Sequence, residues 1–156
     1  MRSLFRTPLF AALACCAILT LAACSAKTPR TPPEVAIDLG SSTLYTPEER
    51  SEAVELIRAK FATFTGCELH CVRYAGDEAD NEENLAWLNS LREARSNIPP
   101  EDVGIEYAQV AEFLSDFHSP TEDGPFAWEV DTEYRDYQWW LARPKNGKWE
   151  IVSWGY

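Results

Sequence analysis

Residues Glu133 to Tyr156 read EYRDYQWWLARPKNGKWEIVSWGY, and this stretch decides the fold that the sequence predicts. It holds four of the six tryptophans of the chain. The dipeptide Asn146-Gly147 separates two strand-like runs, and such a dipeptide supplies the positive φ angles of a tight hairpin turn. The stretch therefore predicts a closing β-hairpin.

A two-residue loop sets the register of this predicted hairpin. It joins chemically matched residues across the strands: Arg143 with Glu150, Leu141 with Val152, Trp139 with Trp154, and Tyr137 with Tyr156. A four-residue loop over 144–147 would oppose Leu141 and Glu150, which favours the shorter loop. The other face carries Trp140, Ala142, Trp149 and Ile151. Because both faces are apolar, we expect the hairpin to lie in the interior of a sheet.

The start of the chain is typical of a secretory signal. Arg2 and Arg6 precede an apolar stretch, 9–23, which is shorter than the ~20 residues of a membrane-spanning helix. The sequence Leu21-Ala22-Ala23-Cys24 resembles the bacterial lipobox, in which cleavage precedes a cysteine that is then acylated. The resemblance implies a signal peptide at 1–23 and a lipid anchor on Cys24. Cleavage after Ala26 and an uncleaved anchor are the alternatives.

Lipidation of Cys24 would hold the protein in the cell envelope, on the extracytoplasmic face of a bacterial membrane, with the lipid bilayer as its first partner. The mature chain would carry 12 basic and 25 acidic residues, a net charge of −13. Binding to nucleic acid needs a basic stripe that this composition does not provide, so we expect no nucleic-acid partner. Adhesion to anionic lipid through a basic patch is disfavoured for the same reason.

The rest of the chain predicts a tether and one domain. Residues 24–43 comprise the lipidated cysteine and a proline-rich tether, and residues 44–156 form a single α+β domain.

The first helix begins at a capping box of Thr46 and Glu49 and ends at Gly66. Its apolar stripe consists of Ala53, Val54, Ile57, Phe61 and Phe64. A second helix spans about 81–96, with Asp80 as its N-cap. Its packing face consists of Leu85, Leu88 and Leu91, with Trp87 beside them.

Two further runs alternate as strands do. In Cys67–Tyr74 the residues Cys67, Leu69 and Cys71 share one face. Because residues four apart along a strand are separated by ~13 Å, a disulfide between these cysteines is excluded and we expect two buried thiols. The run from Val103 to Phe117 is the longest, with Val103, Ile105, Tyr107, Ala111, Phe113 and Phe117 on one face.

The candidate catalytic residues are Asp116, His118 and Glu129. Asp116 and His118 are two apart at a strand end, which places an acid and a base side by side. A solvated strand end is the simpler interpretation of this pair and the one we favour. Glu129, Asp131 and Glu133 place three carboxylates on one face, which could bind a cation but is more typical of an exposed edge. The acidic residues 77–83 lack the ligand order of a calcium loop, so we expect no metal site and no cofactor.

Several short stretches resemble a family of uncharacterised bacterial envelope lipoproteins with a nuclear-transport-factor-2-like (cystatin-like) cone. They are Phe64–Leu69, Tyr74–Glu78, Asp116–Pro120, Ala127-Trp128, Glu133-Tyr134 and Trp149–Tyr156. The resemblance implies an α+β fold in which helices pack against one face of a strongly curved antiparallel sheet. It brings no catalytic residues.

Two classes of function follow. In the first, a non-enzymatic module binds a small ligand or an envelope protein, and Trp128, Trp140 and Trp149 are its candidate contacts. In the second, a hydrolase or isomerase uses Asp116, His118 and Glu129 as acid–base residues near the mouth of the cone. We favour the first because no nucleophile elbow, phosphate loop or zinc spacing is present. The protein is expected to be a monomer or a homodimer.

Overall fold

The structure, a computed structural model, describes residues 34–95, 104–126 and 128–156. It is an α+β fold with a five-stranded mixed sheet and two α-helices. The elements are β1 (Ala36–Asp38), α1 (Pro47–Phe61), β2 (Glu68–Tyr74), a 3-10 turn (Asp77–Ala79), α2 (Glu82–Glu93), β3 (Gln109–His118), β4 (Glu133–Arg143) and β5 (Glu150–Gly155). The predicted signal peptide, Cys24 and the first part of the tether lie outside the described residues.

The strands lie in sequence order across the sheet. β1 pairs with β2 in parallel, and every later pair is antiparallel. The α+β class is therefore confirmed, but the strongly curved antiparallel sheet of the predicted cone is not. One strand pair is parallel, and the five described strands neither close nor curl strongly. The closing hairpin is interior only in part: β4 lies between β3 and β5, while β5 is the last strand of the order.

The two helices pack on opposite faces of the sheet, not on one face as predicted. α1 covers the larger core, built from its own stripe and from the inward residues of β2, β3 and β4. α2 covers a smaller cluster on the other face, which contains Leu88, Tyr107, Val110, Ala142 and Val152. Phe113 and Val110 are both fully buried although they point to opposite faces of the same strand.

The predicted start of α1 is confirmed. The Thr46 side chain accepts a hydrogen bond from the Glu49 N–H, and the Glu49 carboxylate accepts one from the Thr46 N–H. All five residues of the predicted stripe are buried. The helix ends at Phe61, before Gly66, and Gly66 closes the turn that follows with a φ of 81°.

The N-cap of the second helix lies one residue later than predicted. Asn81, not Asp80, accepts the capping hydrogen bond, from the N–H of Asn84. Asp80 instead accepts hydrogen bonds from the Tyr45 hydroxyl and from the Val110 N–H, so it joins the helix start to β3. Leu88 is fully buried as predicted, while Trp87 is 38% exposed.

The hairpin register is half correct. Trp139 pairs with Trp154 as predicted, but Leu141 pairs with Ile151 and Ala142 with Glu150. One extra residue in β5, Val152, produces this shift, and a β-bulge of this kind cannot be read from alternation alone. The turn is also displaced: the Gly147 N–H donates to the Pro144 carbonyl oxygen at 2.9 Å, and Asn146 is the residue with positive φ.

A second bulge, at His70, changes the faces of β2. Leu69 pairs with Phe117 and Cys71 with Asp116, which leaves His70 as the extra residue. Val72 therefore enters the core with Leu69, whereas strict alternation puts it on the face opposite Leu69 and Cys71. Cys71 lies on the other side of the strand, beside Arg73. Both cysteines are free, as predicted, but each is only half-buried. Burial raises the pKa of the Cys67 thiol to about 11.

The end of the predicted tether belongs to the fold. Residues 36–38 form β1, and Asp77 accepts hydrogen bonds from the Ser42 hydroxyl, the Thr43 N–H and the Tyr74 hydroxyl. These bonds hold the pKa of Asp77 well below its usual value, with the Ser42 hydrogen bond as the largest cause. The acidic residues at 77–83 thus include a structural anchor.

The longest predicted strand is shorter than expected. β3 begins at Gln109, Ile105 is 37% exposed, and Val103 lies outside the described residues. Ser115, which breaks the apolar alternation, is fully buried because its hydroxyl accepts a hydrogen bond from the Trp139 indole N–H at 2.9 Å. None of the described helices is long and apolar enough to cross a membrane.

Candidate functional site

Both histidines of the chain converge on one carboxylate at one end of the sheet. His70 lies at the β2 bulge, His118 ends β3, and Glu133 begins β4. His70 Nδ1 is 3.0 Å from Glu133 Oε1, and His118 Nδ1 is 3.3 Å from Glu133 Oε2. We call this group, together with Asp131, the histidine cluster.

His118 uses both of its ring nitrogens. Nε2 lies 3.0 Å from the Asp131 carboxylate, while Nδ1 faces Glu133. A carboxylate accepts hydrogen bonds, so satisfying both contacts requires two N–H groups and hence the imidazolium form. The hydrogen bond to Asp131, followed by that to Glu133, raises the pKa of His118 above its usual value.

We expect the stabilising effect of His118 to depend on pH. Because its folded-state pKa is raised above the ordinary value of 6.5, its contribution is complete below that value and is lost as pH rises through the folded-state pKa. The check is the free energy of unfolding of the wild type and of His118→Gln from about pH 6 to about pH 9. The difference between them should shrink as pH rises. A constant difference would mean that the imidazolium does not hold Asp131.

Asp116 is engaged in a separate ion pair. Arg73 Nη1 lies 3.1 Å from Asp116 Oδ1, and the same oxygen accepts the N–H of Asp136 at 3.0 Å. Arg73 also contacts the Asp136 carboxylate. Asp136 has a φ of 54°, at the point where β4 carries one extra residue. Asp116 therefore fixes a β4 bulge and does not pair with His118.

Among the described residues, no hydrogen bond or ion pair joins the Glu129 side chain to Asp116 or His118. Glu129 is exposed in the segment before β4, where its backbone carbonyl accepts the Ser119 hydroxyl at 2.6 Å. The small pocket that Glu129 helps to line includes neither Asp116 nor His118. Within the described residues, no group of three His, Cys, Asp or Glu side chains is arranged to hold a metal ion. The arrangement is suited to ion pairing on an open surface.

The three tryptophans proposed as ligand contacts lie in three different places. Trp128 is half-buried in an aromatic group with Phe64, Phe126 and Phe117. Trp140 packs edge-to-face on Trp87 at 5.3 Å, on the α2 side.

Trp149 is 6% exposed and belongs to the core under α1. Its predicted common face with Trp140 is wrong, because Trp149 precedes β5 and does not follow the strand alternation.

An open groove of about 750 Å³ runs along the outer side of α1. It is lined by Pro47, Glu48, Ser51, Glu52, Glu55, Leu56, Lys148 and Trp149. Leu56 is 38% exposed, and the indole N–H of Trp149 is buried without an acceptor among the described residues. We call this feature the α1 groove.

Sequence reasoning missed the α1 groove. The helical spacing of Glu48, Glu52 and Glu55 places them along one side of α1, and that spacing was the available signal. The second wall comes from Lys148 and Trp149, about a hundred residues later, and only the folded hairpin brings it there.

Comparison of this chain with models of protein families, with curated proteins and with solved structures gave no match. The functional argument for this chain therefore rests on its own residues and geometry.

Proposed function

We propose that this chain is a lipid-anchored, extracytoplasmic binding module of the bacterial cell envelope, without catalytic activity of its own. The lipobox-like sequence around Cys24 supports the anchor. The observation that carries the binding role is the α1 groove, a large open depression with an apolar floor, lined in part by exposed residues. The resemblance to the cone-forming lipoproteins remains an expectation about ancestry and supplies none of the binding residues.

The enzymatic alternative has weaker support. A general base needs a free nitrogen or oxygen close to the bound substrate. Both ring nitrogens of His118 already face carboxylates, and Asp116 is held by Arg73. Their surroundings are open to solvent, so they lack the water exclusion that makes acid–base groups effective. A binding role needs none of these conditions.

The anchor is tested by Cys24→Ser in the full chain. We expect the wild type to partition with membranes and to incorporate a labelled fatty acid, and the variant to lose both properties. Cys67→Ser is the matched control, because it removes a thiol without touching the lipobox. Retention of label and membrane partitioning by Cys24→Ser would refute lipidation at this residue.

The binding role is tested by thermal unfolding of the full chain in detergent, with metabolites, peptides and cell-wall fragments added singly. A ligand that binds only the folded state raises the unfolding temperature, and the free energy of stabilisation grows with the logarithm of its concentration over Kd. We expect at least one compound to raise the unfolding temperature, and we expect the protein to convert none of them chemically. Turnover of a compound that is abolished by His118→Gln would support the hydrolase or isomerase instead.

A further inference from the structure

Beside the α1 groove lies the β5 edge of the sheet, which no other described strand pairs with. Among the described residues, β5 pairs with β4 alone and ends the strand order. A terminal strand presents unpaired N–H and C=O groups that can pair with another chain. One of these groups is occupied, since Arg95 Nη2 donates to the Val152 carbonyl at 3.2 Å.

α1 lies along this edge. Near its start, α1 faces Lys148 and Trp149 across the groove, and near its end Lys60 Nζ lies 4.2 Å above the ring of Trp154. The helix and β5 thus run side by side in the same direction. A helix beside an open edge strand forms a channel in which the strand offers main-chain hydrogen bonds and the groove receives side chains.

The chemistry of the groove selects its occupant. Its apolar lining residues are Pro47, Leu56 and Trp149, while Trp154 is 42% exposed further along β5. The exposed carboxylates of Glu48 and Glu52 form no ion pair with any described residue, whereas Glu55 is bound by Arg58 at 2.9 Å. Two unpaired carboxylates on the helix side of the groove, against the single lysine Lys148 on the other side, favour a ligand that is both basic and apolar.

We infer that the α1 groove and the β5 edge together bind an extended peptide segment of a partner protein, an inference that rests on the proposed binding function. The segment adds to the sheet as a sixth strand beside β5. Its apolar side chains contact Leu56 and Trp149, and its lysines or arginines face Glu48 and Glu52. A second copy of this chain is a poorer occupant, because its net charge of −13 after loss of the signal would repel these carboxylates.

The probe is a fluorescein-labelled heptapeptide in which valine and lysine alternate, titrated into the full chain in detergent and read by fluorescence anisotropy. We expect saturable binding that weakens as salt is raised, because the contacts to Glu48 and Glu52 are exposed. A peptide alternating valine and glutamate should not bind. A valine–lysine peptide with proline at its centre should bind at least about tenfold more weakly, because proline removes a donor and cannot continue the pairing.

Matched charge reversals locate the site. Glu52→Lys should raise the Kd of the valine–lysine peptide about threefold to tenfold. Glu83→Lys makes the same change at an exposed position on α2, on the opposite face of the sheet, and should leave Kd unchanged. Both side chains are exposed, so both variants should remain folded at the temperature of the assay, which thermal unfolding checks.

Four outcomes would overturn this inference. Equal binding of the proline peptide would exclude strand addition, and equal effects of the two charge reversals would place the peptide elsewhere. A stable dimer that blocks the peptide would make a second copy the occupant. The fourth is failure of the valine–lysine peptide to bind while another compound stabilises the chain in the thermal screen. That result would refute this inference but not the proposed function.

Discussion

Replacing Trp139 with alanine should lower the free energy of unfolding by roughly 3–5 kcal/mol. Trp139 is the largest fully buried side chain of the described residues, and its ring stacks on Phe64 with centroids 5.8 Å apart. The change removes the ring from the core under α1. It also leaves the buried hydroxyl of Ser115 without its indole partner. Urea unfolding of both proteins measures the loss.

Trp154→Ala is the matched control for this prediction. Trp154 is the cross-strand partner of Trp139, so each substitution removes one indole from the same pair. Trp154 is 42% exposed and is contacted by Lys60, so its loss should cost only about 1 kcal/mol. Equal losses in the two variants would mean that the edge strand is as deeply buried as the interior strand, which contradicts the strand order.

Leu88→Ala should cost about 2–5 kcal/mol. Leu88 is fully buried and is the only apolar side chain of α2 with no exposed surface. It contributes to the small cluster under α2, where few other apolar groups are present to close over a cavity. The measurement is again urea unfolding, with Trp87→Ala as the comparison, because Trp87 is 38% exposed on the same helix and should cost less.

The coupling of Leu88 to other residues tests whether the helices lie on opposite faces. Leu88 and Val110 belong to one cluster, while Ile57 belongs to the other. Substitutions in contact are non-additive, and distant ones add to within about 0.3–0.5 kcal/mol. We expect Leu88→Ala to couple to Val110→Ala and to add with Ile57→Val. Strong coupling between Leu88 and Ile57 would place both helices on one face.

Local signals in the sequence predicted the elements well. Thr46 and Glu49 predicted the start of α1 because a capping box is a contact between near neighbours. The stripe from Ala53 to Phe64 predicted the buried face because helical periodicity is a property of one segment. The α+β class followed from these elements, and the Trp139–Trp154 pair followed from the hairpin.

Bulges account for several incorrect predictions. The extra residues at His70 and Val152 shift pairing by one position, and a shift of one exchanges the two faces of a strand. The faces of Val72 and Cys71 and the partner of Leu141 were wrong for this reason. The local alternation does not predict a bulge, because the contacts that stabilise a bulge come from other strands. The hydrogen bond that the Asp136 N–H in β4 donates to Asp116 in β3 is an example.

The candidate site was predictable only in part. The spacing of Asp116 and His118 placed them correctly on one face of a strand end, but it gave no sign that Arg73 and Asp131 would take up their hydrogen-bonding groups. The parallel pairing of β1 with β2 depends on residues about thirty-five apart, which periodicity does not connect. The α1 groove likewise joins a helix to a distant loop.

Amide hydrogen exchange, measured residue by residue along β5 in the full chain, tests the open edge most directly. Alternate N–H groups of an edge strand point towards its neighbour and away from it. We expect slow and fast exchange to alternate between Glu150 and Gly155, apart from the bulge at Val152, while β4 is protected throughout its paired length. Slow exchange at every amide of β5 would show that the edge is already covered, and would contradict a binding surface beside α1.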